Sequence, residues 1–190
     1  MNAKKLLNKP LTSTSFSIPA SKFQHIPSIK LASFNVAGIR ASLQKGFTHW
    51  LDKEDPDILL LQETKLSSTC QWPNQLYQHQ YFSHANRRKG YSGTAVLSRV
   101  PPLAVEYPKL GHDLLDGEGR QLCVEFDDYF VLNTYIPFSG VQLEKLDLKT
   151  KYFESIQEYL SKLKKPIIWG GDINVALGSI DVHPTLYHEG

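Results

Sequence analysis

Three apolar, strand-like runs in this chain each stop abruptly at a residue able to hold a metal or a phosphate. Leu31-Ala32-Ser33-Phe34 ends at Asn35, Ile58-Leu59-Leu60-Leu61-Gln62 ends at Glu63, and Pro166-Ile167-Ile168-Trp169-Gly170-Gly171 ends at Asp172, with Asn174 two residues on. Strands lying side by side in a sheet carry their ends to one edge, so residues far apart in sequence converge there. A fold that satisfies all three runs therefore builds a polar cluster along a sheet edge, and a phosphate-processing metal site is the first expectation.

The segments between these runs fix the fold class. A helical stretch around Ser42 to Glu54 puts Leu43, Phe47, Trp50 and Leu51 on one face, and strand, helix, strand implies a parallel pair. Shorter β-type segments follow at Gln80 to Ser83, Gly93 to Leu97, Leu122 to Phe126 and Tyr129 to Tyr135, separated by turn residues such as Gly90, Gly117 and Gly119, and read as a meander. Leu143, Leu146, Phe153, Ile156, Leu160 and Leu163 recur at helical spacings, and Pro166 helps end that helix before the third polar-tipped strand. The expected architecture is mixed α/β of α+β character, with a substantial antiparallel component and helices outside the sheets.

With 190 residues the chain has the size of one ordinary domain, of roughly 100 to 200 residues. No apolar run approaches the roughly 18 residues of a membrane span, and no membrane role is expected. Cys70 and Cys123 have neither metal-ligand spacing nor the density of a disulfide framework, which favours a reducing intracellular compartment. Residues 1 to 51 hold seven Lys or Arg and no acid, leaving fourteen of the 21 bases to face all 19 acids. Residues 1–28 read as a basic leader without sustained periodicity, and the domain begins near Ile29 and runs to residue 190. A leader rich in Ser, Thr and Lys fits a nucleic-acid-binding arm, a nuclear address or a transit peptide, and equally a solvated tail. The nucleus is the expected compartment, with a mitochondrion or other organelle, or a bacterial-type cytoplasm, as alternatives.

Mg²⁺ takes oxygen ligands and keeps several waters, so one or two carboxylates with amide oxygens and a substrate phosphate suffice to hold it. Glu63 suits the ligand role. Asp172 can orient or deprotonate a water, and Asn174 projects toward the same face if the strand geometry persists. Asn35 and Asn174 position without adding charge, while Lys65 and Arg40 supply countercharge for a phosphodiester. Each motif alone has a plain structural reading: a Glu after an apolar strand is its first solvated residue, and Gly-Asp-x-Asn is a turn. His183 and His188 are read as surface residues.

Taken in order, Phe34-Asn35-Val36-Ala37-Gly38-Ile39-Arg40-Ala41, Leu61-Gln62-Glu63-Thr64-Lys65, Gly90-Tyr91-Ser92-Gly93, Glu118-Gly119-Arg120, Tyr135-Ile136-Pro137 with Gly140, and Gly170-Gly171-Asp172-Ile173-Asn174-Val175 resemble the exonuclease III family of apurinic/apyrimidinic (AP) endonucleases. The resemblance spans about Ile29 to Asp181. It implies a sandwich of two mixed β-sheets flanked by helices, its second half incomplete in this chain, and a Mg²⁺-dependent hydrolase, with Mn²⁺ as substitute. The implied reaction is cleavage of double-stranded DNA on the 5′ side of an abasic site, often with 3′-exonuclease or 3′-phosphodiesterase activity, by a monomer. Carried over, Glu63 is the principal metal ligand and Asn35 helps hold the metal and the phosphate. Tyr135 orients the reacting phosphate, Asp172 aligns and activates the water, and Asn174 supports the transition state, Asp172 and Asn174 also lying in the metal's reach. Arg40, Lys65 and Tyr91 contact the DNA backbone.

Departures from the family pattern accompany the match. Ala37 stands where Asp or Asn is usual, Phe138 replaces a polar residue, and Val141 sits where some relatives place an Arg. Family members also continue past this point, with a late Asp and a Ser-Asp-His signature, so the chain alone is expected to have little or no endonuclease activity. Two alternatives belong to other classes: an inactive relative that binds DNA or a partner, and a metal-dependent phosphatase acting on small phosphorylated substrates.

Overall fold

The computed structural model describes residues 28–68 and 76–182. Residues 1–27 of the leader, Cys70, His183 and His188 lie outside them. Two four-stranded sheets pack face to face. The first contains β1 (Leu31–Asn35), β2 (Ile58–Gln62), β3 (His79–Ser83) and β4 (Thr94–Ser98) in the order β1-β2-β4-β3. The second contains β5 (Ala104–Glu106), β6 (Gln121–Glu125), β7 (Phe130–Tyr135) and β8 (Ile167–Asp172) in chain order. Only β1–β2 and β7–β8 pair in parallel, and each of these pairs is connected through helix: α1 (Ile39–Gln44) and α2 (Phe47–Glu54) in the first, α4 (Leu146–Ser161) in the second. A short α3 (Asp113–Asp116) lies between β5 and β6.

Strand alternation explains the layering, because successive side chains point to opposite faces. Ile58 and Leu60 meet Val96, Leu122, Val124 and Val131 between the sheets, whereas Leu59 and Leu61 face Phe47 and Leu51 of α2. On the far side Cys123, Phe130 and Leu132 pack under Tyr152 and Ile156 of α4. The run 58–62 reads as continuously apolar because β2 is covered on both faces; each fully buried Leu or Ile there contributes roughly 1.5–3 kcal/mol. Toward the polar tips the inter-sheet layer itself turns polar. Asn133 of β7, fully buried, donates from Nδ2 to the carbonyls of Leu61 (2.9 Å) and Ala95 (2.8 Å) in the opposite sheet, and its Oδ1 accepts from Gln62 Nε2 at 2.8 Å.

Several expectations are corrected here. The helical stretch around Ser42 to Glu54 is two helices: Gly46 adopts φ 90° and interrupts the helix, although Phe47 and Leu51 are buried on the expected face. The supposed meander is divided, with β3 and β4 in one sheet and β5 to β7 in the other. Leu143 precedes α4 with φ 61° and is exposed; the fully inward stripe of the helix is Lys149, Tyr152 and Ile156. Among the described residues β1 is one edge of the first sheet and β8 one edge of the second, the two lie beside one another, and Phe34, Ile168 and Trp169 on them are each about two-fifths exposed.

Candidate active site

The tips of β1, β2, β7 and β8 meet at one end of the sandwich because the two parallel pairs run the same way toward it. Hydrogen bonding continues beyond the regular strands: Val36 N–H reaches Gln62 O, Gly38 N–H reaches Glu63 O, and Ile136 N–H reaches Asp172 O. To make these bonds the chain bends sharply, and Ala37, Glu63, Lys65, Ser92 and Asn174 all hold positive φ between 47° and 53°. Non-glycine residues in that region carry strain of order 1–3 kcal/mol each, which the surrounding structure has to offset. Below them, β8 can approach its neighbours only as glycine. A Cβ on Gly171 (φ 131°) would lie 2.0 Å from Thr134 O, and one on Gly170 would lie 2.7 Å from Leu60 Cδ1.

Asn35 is the hub of the cluster. Its Nδ2 donates to Glu63 Oε1 at 2.9 Å and to Asp172 Oδ2 at 2.7 Å, while its Oδ1 accepts from Ala37 N–H at 3.0 Å. Tyr135 donates its hydroxyl to the same Glu63 Oε1 at 3.0 Å, and Lys65 Nζ stands 3.1 Å from Glu63 Oε2. Asp172 Oδ1 accepts from the Asn174 N–H at 2.9 Å, and Asn174 Nδ2 donates to Ile136 O at 2.8 Å. All five residues expected to be catalytic are thus joined in one network, together with Lys65. The adjoining cleft, about 640 Å³, has Asn35, Gln62, Phe138, Asp172 and Asn174 on its wall.

Electrostatics sort these groups by role. Burial alone would raise the Glu63 carboxyl pKa, but hydrogen bonds from Asn35, Lys65 and Tyr135 outweigh it and hold the group below the ordinary range. Burial, then the Glu63 charge and the hydrogen bond to it, push the Tyr135 hydroxyl well above the usual phenol range, against the opposing Arg120. Glu63 is therefore an anion and Tyr135 a protonated donor at neutral pH.

The two other expected DNA contacts are placed differently. Arg40 is exposed on α1, and among the described residues no hydrogen bond or ion pair ties it to the network. Tyr91 connects to the site through a residue for which no role was expected. Arg120, buried, pairs with Glu118 at 2.6 Å, donates to Tyr135 O at 3.1 Å and to Tyr91 Oη at 3.2 Å, and its guanidinium lies 4.7 Å from the Tyr135 ring centroid. The Glu118-Gly119-Arg120 motif was its signal; only the structure shows both tyrosines on one guanidinium. A second unanticipated group is Lys149 of α4, whose ammonium donates to the Asn174 carbonyl and whose pKa is pushed down by burial against the raising influence of Asp172.

The donor set fits a hard divalent cation. Glu63 and Asp172 offer carboxylate oxygens on either side of Asn35, which suits Mg²⁺ provided water and a substrate phosphate complete the shell. Among the described residues no three His, Cys, Asp or Glu side chains stand together as a metal cage. Nor does Asn35 present an oxygen to the carboxylates in this geometry; it presents its NH₂. None of the described helices is long and apolar enough to cross a membrane.

Known proteins resemble this chain in sequence and in fold. Residues 32–190 match the model of the Endonuclease/Exonuclease/phosphatase family. A DNA-(apurinic or apyrimidinic site) endonuclease of Dictyostelium discoideum is 41% identical over 159 residues, covering 81% of this chain and 44% of that protein. An exodeoxyribonuclease of Bacillus subtilis is 41% identical over 157 residues, covering 81% of this chain and 62% of its own length. The structure of an AP endonuclease from Archaeoglobus fulgidus superposes with a TM-score of 0.66 at 33% identity, covering 82% of this chain and 61% of that one. The chain spans about half the length of the curated relatives it matches. A two-sheet sandwich, a polar edge built on Asn35, Glu63 and Asp172, and a match over 159 consecutive residues lead to one conclusion: the chain belongs to the Endonuclease/Exonuclease/phosphatase family, and AP endonucleases and exodeoxyribonucleases are among its relatives there.

Proposed function

We propose that this edge serves Mg²⁺-dependent hydrolysis of a DNA phosphodiester on the 5′ side of an abasic site. The observation that carries the reading is the ionised Glu63, ringed by Asn35, Lys65 and Tyr135 and linked through Asn35 to Asp172. When bound through Glu63, with Asp172 in reach, Mg²⁺ supplies a Lewis acid for the charge that grows on the phosphoryl oxygens. Asp172, each carboxylate oxygen fixed by one hydrogen bond, is oriented to align a water and take its proton. Tyr135 keeps its proton, and with a phosphate bound its hydroxyl turns from Glu63 to donate to that phosphate, while Asn174 stands beside the same developing charge. Lys65, Arg40 and Tyr91 are assigned to the backbone of the DNA, with Arg120 holding Tyr91 in place. An abasic sugar has no base to unstack, so moving it into the cleft costs less than flipping an intact nucleotide. The working compartment is one that holds DNA.

The rate is expected to be low. Phe138 and Val175 on the cleft wall are about half exposed, and an open, wet site weakens every preorganised dipole in it. The test is single-turnover cleavage, with protein in excess, of an end-labelled duplex carrying one tetrahydrofuran abasic analogue. A slow nick 5′ to the lesion, dependent on Mg²⁺ and lost at least about 100-fold in Glu63→Gln, is expected. No nick above the Glu63→Gln background, with hydrolysis of a nucleotide or phosphosugar instead, would replace DNA by a small substrate. A second reading, DNA binding without cleavage, is favoured by the acid-free first 51 residues. Binding that survives EDTA and falls steeply with salt, with no nick at any protein excess, would select it.

A further inference from the structure

Lysine is rarely buried without a carboxylate partner. Lys149 is only 6% exposed, on the inward face of α4 with Tyr152 and Ile156, where Leu or Met would complete an apolar stripe. Among the described residues its ammonium makes no ion pair; its hydrogen bond goes to a main-chain oxygen, the carbonyl of Asn174. That carbonyl belongs to a left-handed residue (φ 52°) whose N–H holds Asp172 Oδ1 and whose side chain holds Ile136 O. Asn174 is thereby tied at three points, to β8, to the end of β7 and, through Lys149, to α4.

We propose that Lys149 is a positioning residue: from beneath the sheet it fixes the Asn174 carbonyl, so that the left-handed turn keeps Asp172 and Asn174 aimed at the cleft. It touches no reacting atom. A helix otherwise remote from the polar edge is in this way coupled to the carboxylate that aligns the water. The proposal rests on the assignment of Asp172 above, but its structural half can be read without catalysis.

The experiment compares the full chain with Lys149→Met, which keeps the stem and removes the charge, and Lys149→Arg, which keeps the charge. Asn174 is followed by its carbonyl ¹³C shift and by amide exchange at Asn174 relative to Val131 and Leu132 in β7; cleavage of the abasic duplex is followed by single-turnover rate and half-saturating protein concentration. In Lys149→Met the Asn174 carbonyl signal moves upfield, its amide exchanges at least about tenfold faster while β7 is unchanged, and the rate falls about 30-fold with half-saturation within about twofold, as expected for loss of alignment rather than of binding. Lys149→Arg recovers most of the carbonyl shift and rate. Wild-type exchange and rate in Lys149→Met overturn the proposal, and so does faster exchange spread equally over β7, which marks a general packing role. If the wild type does not nick abasic DNA but the Asn174 signature still responds to Lys149→Met, the catalytic assignment fails and the positioning role stands.

Discussion

Glu63 accepts two hydrogen bonds on one oxygen and an ion pair on the other, and this sets both its charge and its reserve for a metal. Because its folded pKa lies below the ordinary value of 4.5, its stabilising contribution is present above that pH and is lost as the pH falls through the folded value. Glu63→Gln is therefore expected to flatten the loss of stability on acidification below about pH 4.5, read by urea unfolding, while lowering Mn²⁺ affinity at least about tenfold by electron paramagnetic resonance titration. An unchanged Mn²⁺ affinity would move the metal away from Glu63. At this scale the sequence was legible where a polar residue ended an apolar run, as with Asn35, Glu63 and Asp172. It was not legible for Lys149 and Arg120. Their side chains reach the site from α4 and from the start of β6, and helical or strand spacing says nothing about where a long side chain ends.

The strands were readable because burial on both faces leaves a continuous apolar signature, as in Ile58–Gln62 and Thr94–Ser98. β5 escaped notice: three residues after Pro101 and Pro102, half exposed, carry almost no pattern. The single helix expected over 42 to 54 failed for a related reason, since one glycine at positive φ divides it without disturbing the apolar face. Pairing between the sheets cannot be read from periodicity at all. Asn133 looks like a polar break in Phe130–Tyr135, yet it bonds the backbones of β2 and β4 across the sandwich, two residues before Tyr135 and against Gln62, the neighbour of Glu63. Asn133→Leu leaves two buried carbonyls and the Gln62 amide without that partner. It is expected to cost about 2–4 kcal/mol in urea unfolding. A loss below about 0.5 kcal/mol would mean that the sheets hold their register by apolar packing alone.

The described residues form three apolar layers, and the phenols and the thiol buried in them resist deprotonation. Burial pushes Tyr77 from 10.0 to about 12 and Cys123 from 9.0 to about 11. Raised folded pKa values stabilise fully below the unfolded values and are lost as the pH climbs through the folded ones. Stability is thus expected to hold to about pH 9 and to fall steadily between about pH 9 and 12, with Cys123→Ala blunting the first part of that decline in chemical unfolding experiments. The left-handed rim has a different consequence, one that concerns how the protein can change. Ala37, at φ 47°, occupies a conformation that Asn and Asp tolerate far better, so Ala37→Asn is expected to raise the unfolding free energy by about 1 kcal/mol, visible as a higher melting temperature. Substitution to glycine at Lys65 would relax the backbone too but would remove a charge from the site, whereas the Ser92 hydroxyl is buried without a hydrogen-bond partner among the described residues and its loss would leave the network unchanged. Along this edge a sequence can drift toward greater stability in single steps, and at positions 37 and 92 such a step leaves every side chain of the hydrogen-bonded network in place.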